Sequence, residues 1–282
     1  LPLPYILLND YYSRISSFTK LPDYILRFYT VKIRSIIMLS CLGLLLSSVC
    51  SADTKLYIYA AASTRNAVDA LIKQFPIQKN VQVAAVYGAT SALARQIIDG
   101  APAALFLSAN KAWMKEIVNM GLIARHKTAF SNRLVVISSK DFSVDLKISS
   151  GDDIIRALQD ERLAVAEVSA VPAGIYSQQA MKTLNIWPLI RDKLAQSANV
   201  RAALALVERG ETPLGFVYQT DARASPYVHL EWKIPEHTHD RILYPIGLHK
   251  NFENNPEAKQ LFSFFSSPKG QKIFSQFGFE SD

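Results

Sequence analysis

Cysteine is nearly absent from this sequence. The 282 residues include two cysteines, Cys41 and Cys50, and both lie in an N-terminal segment that we expect to be removed. The rest of the chain then has no thiol, which excludes a disulfide, a cysteine nucleophile and a cysteine-ligated metal site there. Stability must come from core burial instead, for which a hydrophobic content of 49% is ample.

The sequence also lacks a run of basic residues. Its formal net charge is +7, but residues 1–52 contribute five basic and two acidic residues, which leaves 26 Lys+Arg against 22 Asp+Glu, a net of +4, in the remainder. These charges are interspersed, which argues against nucleic-acid binding. A Ser-His-Asp arrangement, a Gly-rich phosphate loop and a His/Glu metal signature are missing as well, so no enzyme chemistry is visible.

A basic flank and a short apolar stretch mark residues 31–52 as an export signal. Lys32 and Arg34 precede the apolar residues Ile36–Val49, and small residues follow. This order is typical of a secretory signal, and the apolar stretch is short for a membrane anchor, which is the alternative. We expect cleavage after Ala52 and a mature protein in the periplasm.

Two features of this segment leave alternatives open. Cys50 is a candidate for lipidation, although the preceding Val49 is bulky where a lipidation site favours a small residue. A start at the first methionine, Met38, would remove the basic flank of the signal. We therefore expect translation to begin near Val31 and residues 1–30 to be upstream sequence.

Beyond residue 52, short apolar runs alternate with helical patterns. Strands are predicted at Leu56–Tyr59, Val81–Tyr87, Leu105–Leu107, Leu134–Ile137, Leu163–Ala166, Leu214–Tyr218 and Leu243–Leu248. Helices are predicted at Ala67–Phe75, Leu93–Ile98, Lys111–Met120, Asp152–Leu158, Ile175–Leu184, Val200–Glu208, Pro256–Phe265 and Pro268–Phe277. This alternation predicts an α/β fold with parallel, doubly wound sheets.

The pattern falls into two α/β sets without a Gly/Ser linker between them. We expect two lobes joined by strands, with a ligand cleft between them. Lobe 1 comprises residues 53–133 and 243–282, and lobe 2 comprises residues 134–242.

Four turns share small or hydroxyl residues at the point where a loop becomes a helix: Ala61–Thr64, Gly88–Ser91, Val171–Gly174 and Ala198–Arg201. A helix N-terminus exposes unpaired N–H groups and about half a positive charge. Four that converge at the carboxyl ends of strands would offer roughly +2 in fixed dipoles without a Lys or Arg side chain. Such a site suits a desolvated tetrahedral dianion.

At these turns the chain resembles the periplasmic molybdate-binding proteins of ABC importers, which are type II solute-binding proteins. The resemblance runs from about residue 53 to residue 279 and is carried by Ala60–Ser63, Leu93–Ile97, Gly100–Ala103, Val171–Tyr176, Val200–Arg209, Pro213–Tyr218 and Phe277–Phe279. It implies a two-lobed, periplasmic-binding-protein-like fold and molybdate or tungstate as a ligand, with no cofactor. It also implies a monomer that delivers the ion to an inner-membrane permease driven by a cytoplasmic ATPase.

In that family two hydroxyl residues, two backbone amides at helix starts and a tyrosine hold the oxyanion. Carried over by motif, Ser63 supplies the first hydroxyl together with its own N–H, and Thr90 supplies the second hydroxyl. Ala173 and Val200 match the two amide donors. Tyr218 matches the phenol donor.

Several positions depart from the family pattern. Ser91 beside the second hydroxyl could take over its role if the loop shifts. Ala104 replaces an acid, Gln219 replaces a small residue, and Ala166-Glu167-Val168 replaces a Gly-Asp-Pro. None of these changes removes a proposed donor, but Glu167 could accept a proton from monohydrogen phosphate if it faced the cleft.

Each residue of the predicted site also has an ordinary structural interpretation. Ser63 and Thr90 could be helix N-caps, Ala173 and Val200 ordinary helix-start residues, and Tyr218 a core tyrosine. Their joint match to the family spacing favours the binding role.

We assign two further groups of polar residues a structural role rather than a binding role. The segment 236–240, which reads Glu-His-Thr-His-Asp, could hold a metal, but its polar surroundings favour a solvated turn. Arg65, Arg95 and Arg201 lie near the site in sequence. We expect Arg95 and Arg201 to point outward and to pair with nearby acids.

Two alternatives to a molybdate carrier remain at this point. A binder of another oxyanion, such as sulfate, would use the same neutral donors. A periplasmic hydrolase on the same scaffold is the alternative from another class, and the missing nucleophile–base pair argues against it.

The export signal leads to the first testable prediction. The full chain produced in a bacterial host should be recovered as a soluble protein that begins near Asp53, because a signal of this form is removed during translocation. Mass spectrometry of the recovered protein measures this directly. An intact or a lipidated N-terminus would contradict the prediction.

Overall fold

Two mixed β-sheets organise the described residues of the computed structural model, which are 54–76, 81–141 and 147–281. The predicted signal, with Cys41 and Cys50, lies outside them. The strands are β1 Thr54–Ala61, β2 Val81–Gly88, β3 Ala103–Leu107, β4 Ile123–Ser131, β5 Leu134–Ser139, β6 Leu163–Ala166, β7 Leu194–Ser197, β8 Leu214–Tyr218, β9 Val228–Lys233, β10 Leu243–His249 and β11 Glu280–Ser281.

Helices cover these sheets. They are α1 Arg65–Gln74, α2 Thr90–Ile98, α3 Lys111–Asn119, α4 Gly151–Leu158, α5 Pro172–Thr183, α6 Trp187–Ile190, α7 Val200–Glu208, α8 Gln219–Ala224, α9 Pro256–Phe265 and α10 Pro268–Gln276. Short 3-10 turns lie at Ala62–Thr64, Arg191–Lys193, Glu236–Thr238 and Lys250–Phe252. No helix among the described residues is long and apolar enough to cross a membrane.

The predicted parallel strand pairs are present, but both sheets also contain antiparallel strands, which the sequence did not predict. The first sheet has the order β11-β4-β10-β3-β1-β2, and β10 runs antiparallel to both β3 and β4. The second sheet has the order β7-β6-β8-β5-β9, and β5 runs antiparallel to both β8 and β9. β5 and β10 are the strands at which the chain enters the second sheet and returns to the first. The short β11 also pairs antiparallel, with β4. Asn132 and Arg133 alone separate β4 from β5, so β5 enters the second sheet directly.

The parallel strand pairs determine where the cavity lies. In the first sheet β1 pairs with β2, and in the second sheet β6 pairs with β7, each in parallel. The carboxyl ends of the two strands in a parallel pair lie at the same edge of their sheet. A helical segment follows each of these four strands with at most five residues between them, as the turn sequences predict.

Four strands escaped the sequence analysis: β4, β7, β9 and β11. Charged residues interrupt the apolar pattern of β4 and β9, which read IARHKTAFS and VHLEWK. The other two strands are four and two residues long, too short for a periodic signal.

Two helices begin three residues earlier than their hydrophobic periodicity predicts. Helix α2 begins at Thr90 rather than at Leu93, and α5 begins at Pro172 rather than at Ile175. The reason is that the first turn of each helix consists of small residues that carry no periodic apolar signal. The earlier starts place Thr90 and Ala173 in the first turn of their helices.

Candidate functional site

A small buried cavity lies between the two lobes, where helices begin in each of them. Its volume is about 20 Å³. A single water needs roughly 10–15 Å³ of such space, so the cavity suits a compact ion rather than a sugar or an amino acid. Its lining comprises Ala61, Ala62, Ser63, Gly88, Ala89, Thr90, Ala109, Val171, Pro172, Ala173, Asn199, Val200 and Tyr218.

All five residues that the sequence analysis selected line this cavity. Ser63, Thr90, Ala173, Val200 and Tyr218 are each at most 4% exposed. The neighbouring Ser91 is buried as well but is not part of the lining. The lining contains no charged side chain. Any charge inside the cavity would therefore be balanced by dipoles and hydrogen bonds.

The helix starts at this cavity differ from others in the chain. Side chains of Asn110, Ser150, Asn255 and Ser267 cap the starts of α3, α4, α9 and α10. At three of the four starts around the cavity the cap positions are Ala61, Ala89 and Val171, which make no side-chain cap bond, and the fourth start, that of α7, is capped by Asn199. The first N–H groups of a helix have no partner within the helix, so an occupant of the cavity can accept them.

The start of α5 requires proline and glycine. Pro172 occupies the first turn and has no N–H, so Ala173 supplies the first amide donor of the helix. A Cβ atom at Gly174 would lie 2.2 Å from the carbonyl oxygen of Glu167 and 2.4 Å from that of Ala166. Glycine therefore lets the helix begin directly against the end of β6.

The start of α7 leaves one amide free. The side-chain oxygen of Asn199 accepts the N–H groups of Arg201 and Ala202 at 3.0 and 3.1 Å. Val200 is the first residue of the helix and lines the cavity. Its N–H is the one in this turn that the cap does not use.

The N-cap interpretation of the two hydroxyl residues is wrong. Thr90 Oγ1 lies 3.0 Å from the backbone nitrogen of Ala109 and accepts its N–H. Ser63 Oγ lies 2.9 Å from the hydroxyl of Tyr244. Both hydroxyls therefore bond to groups distant in sequence. Because Thr90 accepts from an obligate donor, its own proton is free to point elsewhere.

Tyr218 offers a hydroxyl without a partner. Its side chain is buried, and its hydroxyl forms no hydrogen bond within the described part of the chain. The ring of Tyr244 meets it edge-on, with 6.1 Å between ring centroids. Burial holds the pKa of Tyr218 well above its ordinary value, so the phenol keeps its proton. A buried donor of this kind calls for an acceptor in the cavity that it lines.

The expectation that Arg201 points outward is wrong, because its side chain points inward. Its Nε lies 2.5 Å from Oδ1 of Asp221, which is fully buried. The other oxygen of Asp221 accepts the backbone N–H of Tyr218 at 3.3 Å. Burial raises the pKa of Asp221, and the guanidinium opposes that shift. The ion pair thus fixes the backbone at Tyr218.

The other two arginines lie over aromatic rings. The guanidinium of Arg95 lies 5.5 Å from the ring centroid of Trp113, and that of Arg65 lies 4.4 Å from that of Tyr87. Arg95 is exposed, as predicted, but lies over an aromatic ring.

Glu167 is engaged outside the cavity. Its carboxylate accepts the N–H groups of Ser169 and Ala170 at 2.7 and 2.9 Å, and it is not part of the lining. Burial alone would raise its pKa, but these hydrogen bonds hold the pKa below its usual range. The side chain stays ionised and tied to its own turn, so it provides no acceptor for a ligand proton.

Three hydrogen bonds join the lobes around the cavity. Trp113 Nε1 donates to the carbonyl of Ala170 at 3.0 Å. Asn110 Nδ2 donates to the hydroxyl of Tyr176 at 3.3 Å. A guanidinium nitrogen of Arg201 lies 3.5 Å from the carbonyl of Ser63. These contacts describe a closed cleft.

The polar segment 236–240 forms a 3-10 turn, Glu236–Thr238, followed by His239 and Asp240. His239 Nδ1 lies 2.7 Å from the carbonyl of Asp240, and burial lowers the pKa of this imidazole. The described residues contain no group of three or more potential metal ligands.

Sequence reasoning missed two residues next to the site, Asn132 and Tyr244. Asn132 lies between β4 and β5 and donates to the hydroxyl of Tyr244 at 3.2 Å. Tyr244 lies in an apolar strand, so its pattern indicates core packing alone. A lone asparagine between two apolar runs is the signal that could have drawn attention to it.

Comparisons with known proteins agree with this geometry. The profile of the bacterial extracellular solute-binding proteins matches residues 56–280. The molybdate-binding protein ModA of Escherichia coli is 40% identical over 230 residues, or 80% of this chain and 89% of that protein. ModA of Haemophilus influenzae is 34% identical over 235 residues, or 82% and 92% of the two chains.

A solved structure shows the same fold. The periplasmic molybdate-binding protein of Azotobacter vinelandii superposes with a TM-score of 0.71 at 20% identity, covering 80% of this chain and 99% of that one. Two α/β lobes around a buried cavity define a type II periplasmic-binding-protein-like fold. The chain belongs to the family of bacterial extracellular solute-binding proteins.

The buried ion pair leads to a prediction about stability and pH. Arg201→Met should lower the free energy of unfolding by about 3–5 kcal/mol, because it leaves the charge of Asp221 buried and unpaired. The pKa of Asp221 is then raised further, and the folded protein binds a proton that the unfolded chain releases. The stability of the variant should therefore recover as the pH falls from about 8 toward 5.

Urea unfolding at several pH values measures this effect. The control is Arg209→Met, which breaks an exposed pair with Glu211 at the opposite end of the same helix and should leave the free energy of unfolding nearly unchanged. Equal losses in both variants, or a loss for Arg201→Met that does not change with pH, would contradict the role of the pair.

Proposed function

We propose that this protein captures molybdate or tungstate in the interlobe cavity and delivers the ion to an ABC importer. The observation that carries the proposal is the cavity lining, which joins uncapped helix starts to a buried, unpartnered phenol and contains no charged side chain. The similarity to ModA from two bacteria supports the choice of ion.

The chemistry of the lining suits a dianion that accepts hydrogen bonds at every oxygen. Burying such an ion without partners is very costly, so the site must replace its water shell with donors. Neutral donors suffice, because a hydrogen bond to an anion is about twice as strong as one between neutral groups. Ser63, Thr90 and Tyr218 would supply hydroxyl donors. Ala173 and Val200 would supply amide donors.

The two sheets supply the two sides of the site. Ser63 and Thr90 follow strands of the first sheet. Ala173 and Val200 follow strands of the second sheet, and Tyr218 is the last residue of another strand of that sheet, β8. A ligand held from both sides favours closure, because only the closed state makes all the contacts. In this proposal lobe 1 comprises residues 53–133 and 243–282, and lobe 2 comprises residues 134–242.

The cellular setting follows from this role. A carrier of this kind acts as a monomer in the periplasm, after removal of the signal at residues 31–52, and it performs no catalysis. Its partners are an inner-membrane permease and the cytoplasmic ATPase that drives it. The lipoprotein form, anchored through Cys50, is the alternative location.

Calorimetric titration of residues 53–282 tests the proposed ligand. Molybdate and tungstate should bind orders of magnitude more tightly than phosphate, since the lining offers donors to fully deprotonated ions and Glu167 is engaged elsewhere. Sulfate in the same titration tests the alternative oxyanion. Sulfate binding tighter than molybdate would assign the protein to sulfate, and phosphate affinity equal to that of molybdate would overturn the donor-only site.

Variants of the lining residues test the position of the site. Ser63→Ala and Tyr218→Phe each remove a hydrogen bond to a charged ligand, which costs about 1.5–3 kcal/mol and weakens molybdate binding roughly 10- to 150-fold. Molybdate should raise the melting temperature of the parent more than that of either variant. Ser91→Ala is the matched control, because Ser91 is buried beside Thr90 but does not line the cavity. Unchanged affinity in both lining variants would place the site elsewhere.

A further inference from the structure

The hydroxyl of Ser63 ends a buried chain of hydrogen bonds that begins where the polypeptide passes between the two sheets. Asn132 lies in this passage, and its Nδ2 lies 3.2 Å from the hydroxyl oxygen of Tyr244. That oxygen lies 2.9 Å from Ser63 Oγ, which lines the cavity. All three side chains are buried.

Asn132 determines which group donates in each of these hydrogen bonds. Its Oδ1 accepts the backbone N–H of Arg133 at 2.9 Å, which fixes the amide oxygen on that side because a backbone N–H can only donate. The nitrogen therefore faces Tyr244 and also donates to Thr220 Oγ1 at 2.9 Å. An amide nitrogen does not accept, so the hydroxyl of Tyr244 must accept from it.

The orientation of the Tyr244 hydroxyl in turn determines which way the Ser63 proton points. Within the described part of the chain, its hydroxyl bonds to Asn132 and Ser63. If Tyr244 donates to Ser63, each group in the chain is satisfied and the Ser63 proton can point into the cavity. The opposite direction would leave the Tyr244 proton buried without an acceptor, which is unfavourable. Burial holds the pKa of Tyr244 well above its ordinary value, so that proton is retained.

Thr90, the second hydroxyl residue of the cavity, is oriented in the same way by a separate hydrogen bond. Thr90 accepts the backbone N–H of Ala109 at 3.0 Å, which also leaves the threonine proton for the cavity. Tyr218 keeps its proton through burial. Each hydroxyl in the lining therefore has a proton that it can donate into the cavity.

We propose that Asn132 and Tyr244 are positioning residues that direct the proton of Ser63 into the cavity and thereby favour oxyanions that carry no proton. The proposal rests on the function inferred above, since it concerns the same cavity. The proton of monohydrogen phosphate or monohydrogen arsenate would compete with the Ser63 proton for the same space. Molybdate, tungstate and sulfate bring acceptors alone.

The test compares ratios of dissociation constants measured by calorimetry. In Tyr244→Phe the Ser63 hydroxyl loses the donor that holds its proton toward the cavity, so it can rotate and present either its proton or its lone pairs to a ligand. The preference for molybdate over phosphate should then fall about 3- to 10-fold, the effect of one neutral hydrogen bond. The preference for molybdate over sulfate should stay unchanged, because neither ion carries a proton.

Asn132→Asp is a second variant of similar shape. Its carboxylate can only accept, so Tyr244 donates to it, Ser63 donates to Tyr244, and the lone pairs of Ser63 face the cavity. The preference for molybdate over phosphate should fall further than in Tyr244→Phe. Comparing ratios removes the effect that the added negative charge has on every anion.

Tyr176→Phe is the matched control, because it removes the hydroxyl of another buried tyrosine that accepts from an asparagine, Asn110, across the cleft. It should weaken all oxyanions in parallel and leave both ratios unchanged. The same parallel weakening in Tyr244→Phe and Asn132→Asp would overturn the proposal and leave these residues a purely structural role. A parent protein that fails to bind molybdate would instead refute the proposed function.

Discussion

The dehydration of the proposed dianion is the constraint on which our account of this structure depends. An ion that leaves water needs a donor at each oxygen, and a charged side chain is one way to provide it. This cavity uses helix starts and hydroxyls instead, and its lining contains no charged group. Since each dipole carries only about half a charge, several must converge. Convergence of this kind is a demand on the whole fold rather than on a local motif.

The two sheets meet that demand through their parallel pairs. β1 with β2 and β6 with β7 each present two strand ends at one edge, and a helical segment starts after each end. Small residues at these starts let backbone approach the ligand closely. At Gly174 even a methyl group would collide with the carbonyl oxygens at the end of β6. The ion pair of Arg201 with Asp221 holds Tyr218, the one lining residue at a strand end that supplies its side chain.

The local part of this arrangement could be predicted from the sequence, and the part that depends on strand direction could not. Small and hydroxyl residues before helical patterns identified the four turns, and their family resemblance selected the five lining residues. Periodicity does not report direction, so the antiparallel β5 and β10 were missed. Arg201 points inward because it pairs with Asp221. Strand β8 separates the two residues in the sequence, so the pair could not be foreseen. Tyr244 was hidden by its apolar neighbours, and Asn132 lies outside any periodic pattern.

The position of β10 in the first sheet has a consequence for how the chain folds. This strand lies between β3 and β4, although it follows the whole second sheet in sequence. Until it inserts, β4 has no partner that ties it to β1, β2 and β3. The second sheet, by contrast, uses one continuous stretch of chain from β5 to β9. It can assemble first, and completion of the first sheet then becomes the slow, long-range step of folding.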